Sequence, residues 1–361
     1  MNAHARRATR AQQQRRCPAP RAQRGIALLV AILLVALGTI IAAAVAYENA
    51  MTARRGTATY AFDQSLLIQQ GAEALAAFGL RQIYKSDPSH TYFGQGWDKP
   101  LGPIEVVPGV MLEASLEDLQ GRFNLNNLVK RDGTPDQTQV AAFTKLLQEL
   151  GLETKWAGLL IDWIDVDIVP QNPDGAEDSV YMGQTPPYRT PNRYISSASE
   201  LLALPGFGRD RYLRLAPYVT ALPQGTTINV CTALGPVLDA FKPAGQTEWM
   251  NSPDQLAKNR ANTTGCFPTL AAFQASLGTQ RPATNPTQNP TQNPTQPPSS
   301  PATAFKESSR WYRLTSLITI GGAEFNLYSL LYQDNTGAVR PIQRSFTPDE
   351  LARPLPPASA Q

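Results

Sequence analysis

The sequence predicts an α+β fold: a long N-terminal helix packed on an antiparallel sheet, with the sheet interrupted by a large all-α insertion. Three observations predict it. A helix-compatible stretch runs from Ile26 to about Tyr84, residues alternate in strand fashion near both ends of the remaining chain, and helical spacing dominates between those ends.

The N-terminus comes first. Residues 1–25 hold seven arginines (Arg6, Arg7, Arg10, Arg15, Arg16, Arg21, Arg24) and no Asp or Glu, which marks a segment retained in the cytoplasm. The uncharged run at residues 26–47 spans 22 residues, about 33 Å of helix against a bilayer core of about 30 Å. A secretory signal has a shorter apolar stretch that ends at its cleavage site. Here the small residue, Gly25, lies before the run, so cleavage between Gly25 and Ile26 leaves the apolar helix as a new N-terminus. That order marks a type IV prepilin leader; an uncleaved anchor is the alternative.

The charge balance follows from the leader. The whole chain carries 32 basic and 29 acidic residues; without the seven arginines the balance is 25 to 29, or −4. A nucleic-acid footprint is not predicted from this. Of three cysteines, Cys17 falls in the leader, leaving Cys231 and Cys266. An even pair in an oxidising compartment predicts one disulfide, worth about 3 kcal/mol; two buried free thiols are the alternative.

Beyond the membrane the helix continues, with Leu67, Gly71, Ala74 and Phe78 forming an apolar stripe, and stops at Ser86-Asp87-Pro88. Strands are read at Ile104–Val107 and through Val110, Leu112, Ala114 and Leu116, broken at Pro108-Gly109. Two more, Trp311–Ile320 and Glu324–Tyr332, flank a Gly321-Gly322 hairpin turn. Residues 48–123 and 305–346 thus make one split domain. Between them, helices are read at Asp136–Leu150, Trp156–Ile164 and Ser199–Leu204, in two insertion subdomains covering 124–224 and 225–278. Residues 279–304 contain three successive Asn-Pro-Thr-Gln repeats, read as an extended linker, and 347–361 as a flexible tail.

One region has the composition of a chemical site. Asp162, Asp165, Asp167, Asp174, Glu177 and Asp178 fall within 17 positions, among Pro170, Pro173 and Gly175. Crowded carboxylates repel unless a hard cation joins them, and Ca²⁺ takes six to eight oxygens from flexible loops. The spacing is not that of an EF-hand. A solvated loop in which Asp174 and Asp178 cap turns is the alternative.

Several motifs coincide with these features: Gln120-Gly121-Arg122-Phe123-Asn124-Leu125-Asn126-Asn127-Leu128, Asp162-Trp163-Ile164-Asp165-Val166-Asp167, Gly175-Ala176-Glu177-Asp178 and Tyr188-Arg189-Thr190-Pro191-Asn192. With the Gly25/Ile26 junction, they resemble protein K of the type II secretion system, along nearly the whole chain. The resemblance implies a minor pseudopilin whose pilin-like domain is split by a helical insertion of SAM-like, helix-hairpin-helix-like character. It further implies a place at the tip of the periplasmic pseudopilus with minor pseudopilins I and J, contact with secreted proteins, and processing by prepilin peptidase at an inner membrane. It also favours calcium, with Asp165, Asp167, Glu177 and Asp178 as first ligands and Asp162 and Asn192 behind them. Val30 becomes the fifth mature residue, where related major subunits carry a glutamate that pairs with a neighbour's N-terminal amine. Valine cannot make that pair, which fits a subunit standing first in a filament; simple hydrophobic anchoring is the alternative reading.

Two other function classes compete with this one. Leu204-Pro205-Gly206-Phe207-Gly208, followed by Arg209, Arg211 and Arg214, resembles a helix-hairpin-helix that binds DNA phosphate, and Ile228–Ala233 the start of another. A membrane-anchored DNA receptor is therefore the rival. Catalysis has little support: His4 lies in the leader, His90 stands alone, and nucleophile-elbow and P-loop motifs are missing.

Overall fold

Lacking proline from Arg24 to Ser86, the chain winds one helix, α1 (Arg24–Ser86), in the computed structural model, which describes residues 24–243, 249, 253–277 and 304–347. The leader upstream of Arg24, most of the repeat-containing linker and the tail beyond Thr347 lie outside the described residues. Two compact units are present, residues 1–62 and 63–361. In the first, the side chains from Ile26 to Ala50 are exposed, and this helix is long and apolar enough to cross a membrane.

In the second unit the last turns of α1 pack on a five-stranded antiparallel sheet. It is built from β1 (Leu101–Val107), β2 (Val110–Asp118), β7 (Trp311–Ile320), β8 (Ala323–Gln333) and β9 (Val339–Ser345), in that spatial order. Gly109, at φ +78°, turns β1 into β2. Gly321 and Gly322, at φ +56° and +86°, supply the two left-handed positions that a tight hairpin between β7 and β8 requires. The inner face of β2 is apolar through Val110, Leu112 and Ala114, while Glu113 and Ser115 point outward.

The face of α1 that meets the sheet is not the apolar stripe read from the sequence. Leu67 and Phe78 are 69% and 60% exposed, and Gly71 and Ala74 are exposed with them. The buried side carries Ser65, Gln69, Ala72, Glu73 and Leu80, with Ile68, Ala76 and Ile83 against the same core. Small residues let the helix approach closely, and polar ones are matched by the sheet. Gln69 Nε2 donates to the Phe325 carbonyl at 2.8 Å, and Glu73 takes a two-pronged bond from Arg344 (2.8 and 2.7 Å) and one from Ser329 Oγ.

The insertion grows from the end of β2. Its elements are β3 (Phe123–Asn124), α2 (Gln137–Glu149), α3 (Trp156–Ile164), α4 (Asp178–Tyr181), α5 (Gly208–Leu215), β4 (Val219–Thr220), β5 (Ile228–Asn229), α6 (Gly235–Asp239), α7 (Pro253–Asn262), α8 (Leu270–Ser276) and β6 (Phe305–Lys306). Asp136 caps α2 by accepting from Thr138 N and Gln139 N. β3 pairs in parallel with β4, and β5 with β6. A single hydrophobic core joins Phe123, Phe143, Leu160, Phe207 and Leu215 of the first part to Val230, Leu238, Phe273 and Phe305 of the second.

The Gln120–Leu128 motif acquires a physical meaning here. Asn124, Asn126 and Asn127 act as surrogate backbone: Asn126 Nδ2 donates to the carbonyls of Ile195 and Leu222 while its Oδ1 accepts from Ile195 N, all at 2.9 Å. Asn124 and Asn127 bond the 222–226 segment in the same manner. Arg122 is wholly buried, pairing with Glu117 of β2, which also holds Arg313 of β7. Asp118 completes the joint, its Oδ2 accepting from Asn229 Nδ2, Thr232 Oγ1 and Ser309 Oγ.

Candidate cation site

The acidic block folds around the end of α3. Leu160, Ile161, Trp163 and Ile164 are buried in the core, so the helix is fixed, and Asp162 and Asp165 are carried inward with it. The chain leaves in an extended conformation at Asp165, loops through 166–177, and returns as Glu177 immediately before α4. Gln171 N donates to both oxygens of Asp162 at 3.1 and 3.2 Å. Gly175 N donates to the Gln171 carbonyl, and a Cβ at Gly175 would collide with Gln171 N and Asp162 Oδ2.

This geometry brings one oxygen each of Asp162, Asp165 and Glu177 within 4.8 Å of one another, all three residues buried. Both Asp165 oxygens, Glu177 Oε1 and Asn192 Oδ1 are buried acceptors with no hydrogen-bond partner among the described residues. Burial first, then the charges of Asp167, Asp162 and Glu177, push the Asp165 carboxyl up to about 7. Burial and Asp162 raise Glu177 to about 7, and burial raises Asp162 to about 6 against the opposing Gln171 N–H. Left alone, the cluster is short of positive charge and of donors. An all-oxygen set with neither His nor Cys fits a hard cation such as Ca²⁺ and is ill suited to zinc.

The sequence-predicted ligands divide in two. Asp162, Asp165 and Glu177 form the cluster, and Asn192 presents its unpartnered oxygen from a left-handed backbone, φ +43°, while its Nδ2 donates to the Asp167 carbonyl at 2.9 Å. Asp167 and Asp178 are outside the three-residue group. Asp167 is exposed and accepts from Val169 N; Asp178 accepts from Thr190 N and Oγ1 and sits 3.7 Å from Arg189. Asp167 is taken up by its own turn, whereas Asp178 is held across the loop by Thr190, twelve residues on, rather than by the turn-capping role the sequence offered for it. Sequence reasoning passed over Thr190, whose hydroxyl bridges Glu177 Oε2 and Asp178 Oδ1 (3.3 and 3.2 Å). It also passed over Tyr181, buried beside Trp163 and Tyr188. The only signal for either was membership in, or closeness to, a motif already singled out.

Elsewhere, Cys231 and Cys266 are joined as a disulfide with Cα atoms 4.7 Å apart. Ile26 and Val30 lie exposed on α1, and Gly25 falls in its first turn. In the Gly206-Phe207-Gly208 turn, both glycines are left-handed, but Arg211 is committed to the carbonyls of Gly206 and Phe207 and to Glu153. That guanidinium stabilises the hairpin itself.

Comparison with known proteins converges on one family. Residues 121–224 match the family model for protein K of the type II secretion system. The chain is 37% identical over 231 residues to type II secretion system protein K of Pseudomonas aeruginosa, covering 61% of this chain and 68% of that one. With the Klebsiella pneumoniae protein K it is 36% identical over 276 residues, 73% and 82% of the two chains. The fold is shared with a chain in the crystal structure of the GspK-GspI-GspJ complex from the enterotoxigenic Escherichia coli type 2 secretion system: TM-score 0.64, 22% identity, 81% of this chain and 99% of that one. A long helix on an antiparallel sheet, a helical insertion keyed in by the Gln120–Leu128 motif, and these relatives lead to one conclusion: the chain belongs to the type II secretion system protein K family.

Proposed function

We propose that the chain is a minor pseudopilin that caps the periplasmic pseudopilus together with minor pseudopilins I and J, supporting protein export across the outer membrane. The observation that carries the reading is kinship with protein K over most of the chain, with an apolar helix starting at the Gly25/Ile26 seam. Prepilin peptidase cuts after Gly25, and residues 26–47 anchor the mature chain once in the inner membrane, leaving its C-terminal domain in the periplasm. The partner assignment is supported by the structural neighbour, a chain crystallised in a GspK-GspI-GspJ complex. Val30 in place of a docking carboxylate and a bulky insertion both favour the tip, where secreted proteins are met. The role is mechanical rather than catalytic, and nucleic acid is not a partner.

The same reading includes one structural Ca²⁺, held by Asp162, Asp165 and Glu177 with Asn192, and with Asp167 and Asp178 at its margin. Bound calcium supplies the positive charge that the buried carboxylates lack. The chain's own part is to hold those oxygens inward through α3 and the Gly175 loop. Mass spectrometry of the membrane-purified protein should find an N-terminus at Ile26, and affinity purification should recover I and J. Retained leader arginines, or purification without either partner, would overturn the assignment. For the ion, a chelator should lower the melting temperature; an unchanged melt removes it.

A further inference from the structure

Around the carboxylates lies an aromatic group whose polar ends are unequally used. Trp163, Tyr181 and Tyr188 contact one another, with ring centroids 5.3 Å apart for Trp163 and Tyr181, 5.4 Å for Tyr181 and Tyr188, and 6.4 Å for Trp163 and Tyr188. Trp163 Nε1 donates to Glu200 Oε2 at 3.2 Å, and Tyr188 OH donates to the Ala203 carbonyl at 2.6 Å. Tyr181 is wholly buried, and its hydroxyl has no hydrogen-bond partner among the described residues. A buried hydroxyl left unpaired is destabilising, so the fold keeps it only where something accepts its hydrogen bond. Phenylalanine would fill the same space without that cost.

Acceptors without donors stand nearby. Glu177 Oε1 and both oxygens of Asp165 are buried and unpaired, and Glu177 opens the helix on which Tyr181 sits. Burial, then Tyr188, Asp162 and Glu177, hold the Tyr181 proton on more tightly than usual, so the phenol is a donor across the accessible pH range and never a competing anion.

We infer that Tyr181 is a positioning residue of the cation site: its hydroxyl donates to the hydrated, calcium-loaded carboxylates, and is left unpaired when the ion is absent. This rests on the calcium reading proposed above. Groups that orient metal ligands from outside the coordination sphere are worth about 10–100-fold in affinity. The hydroxyl is thus held in reserve for the loaded state.

The test uses the full-length protein in detergent, wild type against Tyr181→Phe, titrated with CaCl₂ by calorimetry and melted in calcium and in EDTA. The variant should bind calcium about tenfold more weakly. Its melts should cross: at or above wild type in EDTA, where the unpaired hydroxyl is gone, and below wild type in calcium. A role in packing alone would shift both melts the same way. Wild-type affinity in the variant, or a variant less stable in EDTA by as much as in calcium, overturns the inference. If wild type itself binds no calcium, the cation reading falls and Tyr181 with it.

Discussion

At the scale of single residues, the acidic cluster depends on a glycine as much as on its acids. Gly175 is where the loop passes against Asp162, and a methyl group there collides with backbone and carboxylate together. Gly175→Ala should therefore destabilise the protein by about 2–4 kcal/mol and abolish any stabilisation by calcium, both read from thermal melts with and without the ion. The acids predict a pH dependence whose sign is fixed by their raised values. In the ion-free fold Asp165 and Glu177 keep protons up to about 7, whereas the unfolded chain releases them near about 4. The folded state binds more protons across that window, so ion-free stability falls as pH rises from about 4 to about 7 and stays low above it. Melting temperatures in EDTA should be higher at pH 5 than at pH 8. Calcium, which needs deprotonated ligands, should narrow or reverse that difference.

At the scale of elements, polar anchors decide which face of α1 the sheet receives. Periodicity located the helix correctly and its stop within a residue or two, but its apolar stripe through Leu67 and Phe78 turned outward. Counting apolar residues cannot see that Gln69 and Glu73 have partners on β7–β9 waiting for them, because those partners lie some 250 residues away. β9 was likewise illegible: Val339–Ser345 contains Pro341 and arginines without alternation, which only an edge strand tolerates. Beyond its ladder with β8, Arg344 of β9 is tied to Glu73, so Glu73→Ala, which strips partners from Ser329 and Arg344, should cost about 1–3 kcal/mol in urea denaturation. It should also raise hydrogen exchange selectively in β9. The short helices α6, α7 and α8 gave no signal either, since pieces of 5 to 10 residues hold their shape through packing rather than propensity.

At the scale of the whole molecule, the sequence disclosed the plan of a split domain because its strands alternate cleanly at both ends and its glycine turns have few other uses. The acidic cluster was legible as a composition and only partly as a constellation: spacing brings Asp162 and Asp165 to one helix end, but that Glu177 turns inward while Asp167 and Asp178 do not is settled by the loop. What joins insertion to sheet is the Asp118 hub, one buried carboxylate serving Asn229, Thr232 and Ser309. Asp118→Ala takes one buried acceptor from each of the three and should cost about 3 kcal/mol, measured by equilibrium unfolding. The central strand pair, β2 with β7, draws a further consequence. Val110 meets Ile320 and Asp118 meets Tyr312, partners separated by roughly two hundred positions. Closing such a span on an unstructured chain is slow, and a lone β1–β2 hairpin is marginal in water. The insertion therefore sets the order of assembly: its core must condense first, bringing the two halves of the sheet within reach. The split domain, whose first strands precede the insertion in the chain, is thus the last part to close.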